Sequence, residues 1–216
     1  LQKCVQHAHL LNKISGERIR EELFKILKSE SNYDAIEMMA SRGVLSHFLP
    51  EAKQLNRLKH LISLENSANI SGSLKTEAIL QLASILETNT KGARSIAKRF
   101  GFSKSQRNHL VALIEPEWRA NWKTTDNELR AILYKMKPSL VIDLCLLEWS
   151  RLLVDTPHLA KEQTDAWLRI IRLANTMTSF EFPLTGRDVL DLGVKKGPRI
   201  SELLQLVESW WTSSGC

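Results

Sequence analysis

Apolar residues recur at three- and four-residue intervals along almost the whole chain, and this period constrains the fold more than any other feature. A helix returns to the same face every 3.6 residues and a strand every two, so a chain patterned this way buries one stripe per helix. Leu10, Leu11 and Ile14 open the pattern, and Ile19, Leu23, Ile26 and Leu27 continue it past a break at Ser15-Gly16. A short helix is expected over 31–40, with Gly43 as its stop. Pro50 is expected to begin the next, with Leu55, Leu58, Leu61, Ile62 and Leu64 on its inner face. The polar, glycine-containing stretch 66–73 reads as a linker. Helices are then expected over 76–87, 92–100, 103–114, 128–136, 138–154 and 161–177, and two more follow an extended link that ends at Pro183. Only nine glycines occur and strand-like alternation is nearly absent, so the expected fold class is all-α. No fixed repeat of roughly 30 to 45 residues supports a solenoid.

A hydrophobic fraction of 43% excludes a disordered tail, and the length allows one large core or two small ones. Thirty Lys plus Arg against twenty-four Asp plus Glu leave a charge of +6, which favours an anionic partner such as nucleic acid. The three cysteines, Cys4, Cys145 and Cys216, lie far apart without metal-ligand spacing. They indicate neither a disulfide framework nor a zinc site, and a reducing, cytoplasmic setting is expected. No apolar run approaches the ~20 residues of a membrane span. The chain begins at Leu1 inside a helical pattern without an initiator Met, and so reads as a piece of something longer.

Three stretches carry the functional signals. In the first, 15–27, Ser15 can cap a helix on which Arg18 and Glu22, and Glu21 and Lys25, stand one turn apart as expected ion pairs. In the second, 91–114, Lys91, Arg94 and Lys98 share one helical face. Gly101 makes a turn, Ser103 can cap the following helix, and Lys104 and Arg107 add charge near its start. A phosphate contact, a helix-turn-helix DNA reader and a solvated basic face all fit this pattern. The third is the hairpin GVKKGP between the last two helices. Gly193 suits a left-handed closing residue, Asp188 an early helical position, and Pro198 the first position of the next helix. Turn chemistry explains the glycines and the proline but not Lys195, Lys196 and Arg199, which together with bare backbone amides suit phosphate oxygens. The six histidines show no matched Cys or carboxylate cluster, and no P-loop, dinucleotide glycine motif or nucleophile elbow is present.

In combination these stretches resemble a known family. Ile14-Ser15-Gly16-Glu17-Arg18-Ile19-Arg20-Glu21-Glu22-Leu23 with Lys25-Ile26-Leu27 is similar to the ERIxxEL-type motif E of class II tRNA nucleotidyltransferases, the CCA-adding enzymes, and their bacterial poly(A) polymerase relatives. Gly43-Val44-Leu45 through Leu49-Pro50-Glu51 resembles the stretch that follows motif E. The segment from Ala93 to Leu110 is similar to the family's body segment, with Gly101 where an Arg or another polar residue is frequent. Leu184-Thr185-Gly186-Arg187-Asp188-Val189-Leu190, with Leu192-Gly193 and Gly197-Pro198, looks like the LxGxDLxxLG…GP tail signature.

The resemblance implies an elongated helical arm: a neck over 1–65 that includes motif E, a body over 66–157 and a tail over 158–216. It implies RNA contacts by Arg94, Lys98, Arg99, Lys104, Arg107, Arg187, Lys195, Lys196 and Arg199. Glu17 and Arg18 are implied to buttress the nucleotide-selecting part of a polymerase-β-type head. That head would carry the D-x-D carboxylates, Mg2+ and the ATP and CTP sites, none of whose motifs occurs in this sequence. The arm's implied partner is tRNA, held by acceptor stem and T arm while C, C and A are added. The same arm of a poly(A) polymerase, a helix-turn-helix DNA-binding protein and a helical scaffold remain as alternatives.

Overall fold

The computed structural model describes residues 5–67, 77–177 and 182–214. Its α-helices are α1 (Gly16–Leu27), α2 (Asn32–Ser41), α3 (Leu55–Glu65), α4 (Ala78–Ile85), α5 (Thr90–Arg99), α6 (Lys104–Ile114), α7 (Asp126–Lys135), α8 (Pro138–Asp155), α9 (Lys161–Thr176), α10 (Gly186–Asp191) and α11 (Pro198–Ser213). Short 3-10 turns at Ala8–Lys13 and Leu45–His47 flank α1 and α2. Among the described residues there is no strand, and the chain is all-α as its period predicts. Much of the expected linker 66–73, the Thr76 start of the following helix, Cys4 and Cys216 lie outside the described residues.

Every residue of α4 is buried, so the surrounding helices are arranged around it. It meets α1, α3, α6 and α8, and α8 in turn carries α3 on one side and α9 on another. Ten of the side chains closing this core are Leu23, Leu27, Ile36, Leu58, Leu61, Leu82, Ile96, Leu110, Leu129 and Trp167, each almost fully enclosed. Each such aliphatic side chain contributes roughly 1.5–3 kcal/mol relative to exposure. Trp149 of α8 and Trp167 of α9 stack with ring centroids 6.2 Å apart, which fixes the register of those helices. The tail helix α11 docks on α7 through Trp211, whose ring meets Tyr134 edge-on at 5.3 Å, and the Tyr134 hydroxyl donates to Glu208.

Local sequence explains where the helices begin. The Ser15 hydroxyl accepts from the Arg18 amide, Asn89 from the Gly92 amide, and Pro138 occupies the first turn of α8. Two capping boxes, Ser103 with Gln106 and Thr125 with Glu128, start α6 and α7. Pro50, by contrast, does not begin α3, which starts at Leu55. Residues 51–54 spend their backbone groups on the end of α4: the Lys53 and Gln54 amides donate to Ile85 O, and the Glu87 amide to Glu51 O. An antiparallel bridge between Ala52 and Leu86 accompanies these bonds. Tertiary hydrogen bonding thus overrides the helical start that the proline suggests.

The first turn of α1 is pressed against the last turn of α5. A Cβ on Gly16 would fall 1.7 Å from the Arg99 carbonyl oxygen, a backbone atom with no room to yield. Gly16→Ala is therefore expected to destabilise the protein by about 1–3 kcal/mol in chemical denaturation. Gly197→Ala, whose added Cβ meets nothing within 4 Å, is expected to stay within ~0.5 kcal/mol of the parent. Equal midpoints for the two variants would contradict the tight approach.

Candidate nucleic-acid interface

The segment from α5 to α6 is amphipathic in a way that sorts its cations. Ala93, Ile96 and Ala97 are buried, which leaves Lys91, Arg94 and Lys98 on the opposite, exposed face of α5. The chain then turns at Gly101, whose φ of 60° lies in the left-handed region that glycine adopts without strain. The Ser103–Gln106 capping box aims α6 so that Arg107 faces Arg94 and Lys98 across a cavity of about 730 Å³. Ala97, Phe102 and Val111 give this cavity an apolar floor, Asn108 adds an amide, and no Asp or Glu lines it. Among the described residues no carboxylate pairs with Arg94, Lys98 or Arg107. The capping box also uses the Ser103 and Gln106 amides, so the α6 start offers fewer free N–H groups than its sequence suggests.

The other cations assigned from sequence are placed differently. Lys104 is exposed on the first turn of α6, outside the cavity lining. Arg99 turns to the opposite side of α5, where Nη2 pairs with Glu51 Oε2 at 2.8 Å and the guanidinium lies over the Phe100 ring. Its charge is already answered within the protein. Arg187 is exposed on α10. Lys195, Lys196 and Arg199 form a second cationic group at the α10–α11 turn, exposed and without a carboxylate partner among the described residues. Gly193 closes α10 with φ 85°, its amide donating to Leu190 O, and Pro198 opens α11. Asp188 completes a capping box: the Thr185 hydroxyl and amide donate to its carboxylate and hold its pKa below the usual range.

On α1, Glu17 packs where a Gly101 side chain would stand: a Cβ there would lie 2.5 Å from Glu17 Cγ. Arg18 is exposed, and the expected pairs Arg18–Glu22 and Glu21–Lys25 do not form. Instead Lys25 pairs with Glu22 at 2.9 Å, one turn earlier on the same helix, and Arg20 approaches Glu21 at 3.6 Å. The residue that sequence reading missed is Arg20. Its Nη1 donates to the carbonyls of Phe100 (3.2 Å) and Gly101 (2.5 Å), joining the motif E helix to the corner that carries the cations. Nothing in the local pattern marks a partner eighty residues away.

An all-α scaffold that displays an unneutralised cation cluster around a recess is suited to a nucleic-acid backbone. Residues 1–55 match the family described as "Probable RNA and SrmB- binding site of polymerase A". This match supports a relation to the poly(A)/CCA polymerase family and an RNA-binding role for the helical portion. The chain is also 38% identical, over 77 residues, to the uncharacterized 28 kDa protein in the petA 5′ region of Rhodospirillum rubrum. That similarity covers 36% of this chain and 30% of the relative's length.

The remaining face of α6 carries a titrating pair. His109 Nε2 lies 2.8 Å from Asp143 Oδ2 and Nδ1 lies 3.6 Å from Glu77 Oε2. The hydrogen bond to Asp143 raises the imidazole pKa against the opposing effect of burial, and burial raises the Asp143 carboxyl. A raised histidine pKa stabilises the fold fully below the unfolded value of about 6.5 and progressively less as pH rises through the folded value. Stability should therefore decline from pH ~6 towards higher pH, and His109→Gln should flatten that decline in denaturation midpoints measured across the range. An unchanged pH profile in the variant would contradict the assignment.

Proposed function

We propose that this chain is the tRNA-binding helical portion of a CCA-adding tRNA nucleotidyltransferase. The observation that carries the reading is the unpaired cluster of Arg94, Lys98 and Arg107 around a carboxylate-free recess, on a chain whose first 55 residues match an RNA-binding family. In this reading 1–65 is the neck, 66–157 the body and 158–216 the tail. The arm holds the acceptor stem and T arm through phosphates and 2′ hydroxyls, the contacts by which A-form RNA is recognised for shape rather than sequence. Arg94, Lys98 and Arg107 supply one set of phosphate contacts, with Lys104 beside them. Arg187, Lys195, Lys196 and Arg199 supply another on the tail. Arg99 acts indirectly, by fixing the end of α5 against Glu51.

Chemistry belongs to a head of polymerase-β type elsewhere in the whole protein, with Mg2+, ATP and CTP bound there. Among the described residues no three His, Cys, Asp or Glu side chains converge as metal ligands, and no step is assigned to a metal on this chain. Glu17 and Arg18 buttress the head's nucleotide-selecting part, and the cytoplasm is the proposed location. The family matched by residues 1–55 is described in terms of polymerase A, which favours a second reading: the same arm in a poly(A) polymerase. Supplying the whole protein with tRNA lacking its 3′ end separates the two, since a CCA adder incorporates CTP then ATP and stops, whereas a poly(A) polymerase extends with ATP alone.

Binding to this chain tests the arm itself. The triple variant Arg94→Ala/Lys98→Ala/Arg107→Ala should weaken tRNA binding and reduce the slope of log K against log salt by about 2–3. Lys195→Ala/Lys196→Ala should do the same with a change of about 1–2. Duplex DNA competing as well as tRNA, with base preference, would instead support a DNA reader, and salt-independent binding would contradict both.

A further inference from the structure

We infer that the recess between α5 and α6 holds an unpaired nucleotide of a bound RNA strand, with the phosphates on either side of it among Arg94, Lys98 and Arg107 and its base against Phe102. This rests on the RNA-binding reading above and specifies what that site takes. A duplex presents phosphates on a convex cylinder with its bases stacked inside, and a flat face with three cations would serve it. Here the cations instead rim a cavity of about 730 Å³ floored by Ala97, Phe102 and Val111. Duplex phosphates would leave that apolar floor unfilled. A nucleotide can use both kinds of lining, since each base offers a π-face to an aromatic ring and each phosphate an anion to the cations.

The ring is held in place before any ligand arrives. Phe24 of α1 meets Phe102 in a T-shaped pair, with centroids 5.7 Å apart and planes at 63°, and the Phe100 centroid lies 6.3 Å from that of Phe102. A platform fixed in this way loses little freedom on stacking. Asn108 lines the same cavity with an amide that both donates and accepts, and no side-chain partner occupies it among the described residues. It suits a base edge or a ribose hydroxyl. No Asp or Glu is among the lining residues, although Glu17 packs against Gly101, which is one of them.

Fluorescence anisotropy on the full chain tests this with two labelled ligands, a single-stranded RNA oligomer and a blunt RNA duplex. Phe102→Leu keeps an apolar side chain against Phe24 but removes the π-face. It is expected to weaken single-strand binding about 5- to 150-fold, the range for one stacked base, with duplex binding and the salt slope unchanged. Asn108→Ala, at an exposed position, is expected to reduce single-strand binding selectively by a smaller factor, and reads the same site if Phe102→Leu lowers the melting temperature. Equal effects of these variants on both ligands, or on neither, overturn the inference. If Arg94→Ala/Lys98→Ala/Arg107→Ala still weakens both ligands in that case, the RNA-binding reading stands and only the nucleotide recess falls. If the triple variant is also without effect, both fall. Free AMP should compete only weakly; competition at the affinity of the strand overturns the assignment to a nucleotide within RNA.

Discussion

The placement of the cation cluster depends on one arginine that holds the turn between two neighbouring helices. The last turn of α5 is closed by the Phe100, Gly101 and Phe102 amides, and Arg20 of α1 reaches across to the next two carbonyls, those of Phe100 and Gly101 in the turn that follows. A bond from a charged donor contributes more than a neutral one, about 1.5–3 kcal/mol. The Arg20 side chain is only 18% exposed, so water competes poorly for it. Gly16 and Gly101 make the approach sterically feasible, one by lacking a Cβ against the Arg99 carbonyl and the other by adopting φ 60° beside Glu17. Phe24 then reaches Phe102, and Glu51 reaches Arg99. The corner between α5 and α6 is thereby held by two segments distant in sequence, α1 and the loop at Glu51.

That anchoring sorts the basic residues by role. Arg99 is neutralised by Glu51 and does structural work, whereas Arg94, Lys98 and Arg107 share a recess with no Asp or Glu among its lining residues. Folding alone gives no reason to gather like charges at such a place, and an anionic ligand does. Because α1 and the cation corner share atoms in contact, a ligand in the recess acts on a structure continuous with the motif E helix. In the proposed whole protein this continuity would run from RNA to the nucleotide site.

Much of this was legible in the residues. The 3.6-residue period located nearly every helix, since each must bury one stripe, and Ser15, Ser103, Gly193 and Pro198 mark boundaries by local chemistry that needs no tertiary context. Residues 50–54 were misread because their hydrogen bonds go to Ile85 and Glu87, partners that no local rule identifies. The separate fates of Arg94 and Arg99 were equally hidden. They lie on one short helix and look alike in sequence, yet Glu51 and a rotation of the helix divide them. Arg20 was the chief omission: its neighbours Glu17 and Arg18 carried the motif, but its own partners are carbonyls in the turn between α5 and α6.

In the proposed function the α5–α6 corner faces RNA. Amide hydrogen exchange on this chain with and without tRNA measures this directly. Protection concentrated over 94–108, extending to the first turns of α1, is the predicted result. Unchanged exchange at that corner, with saturating tRNA protecting other helices alone, would contradict it.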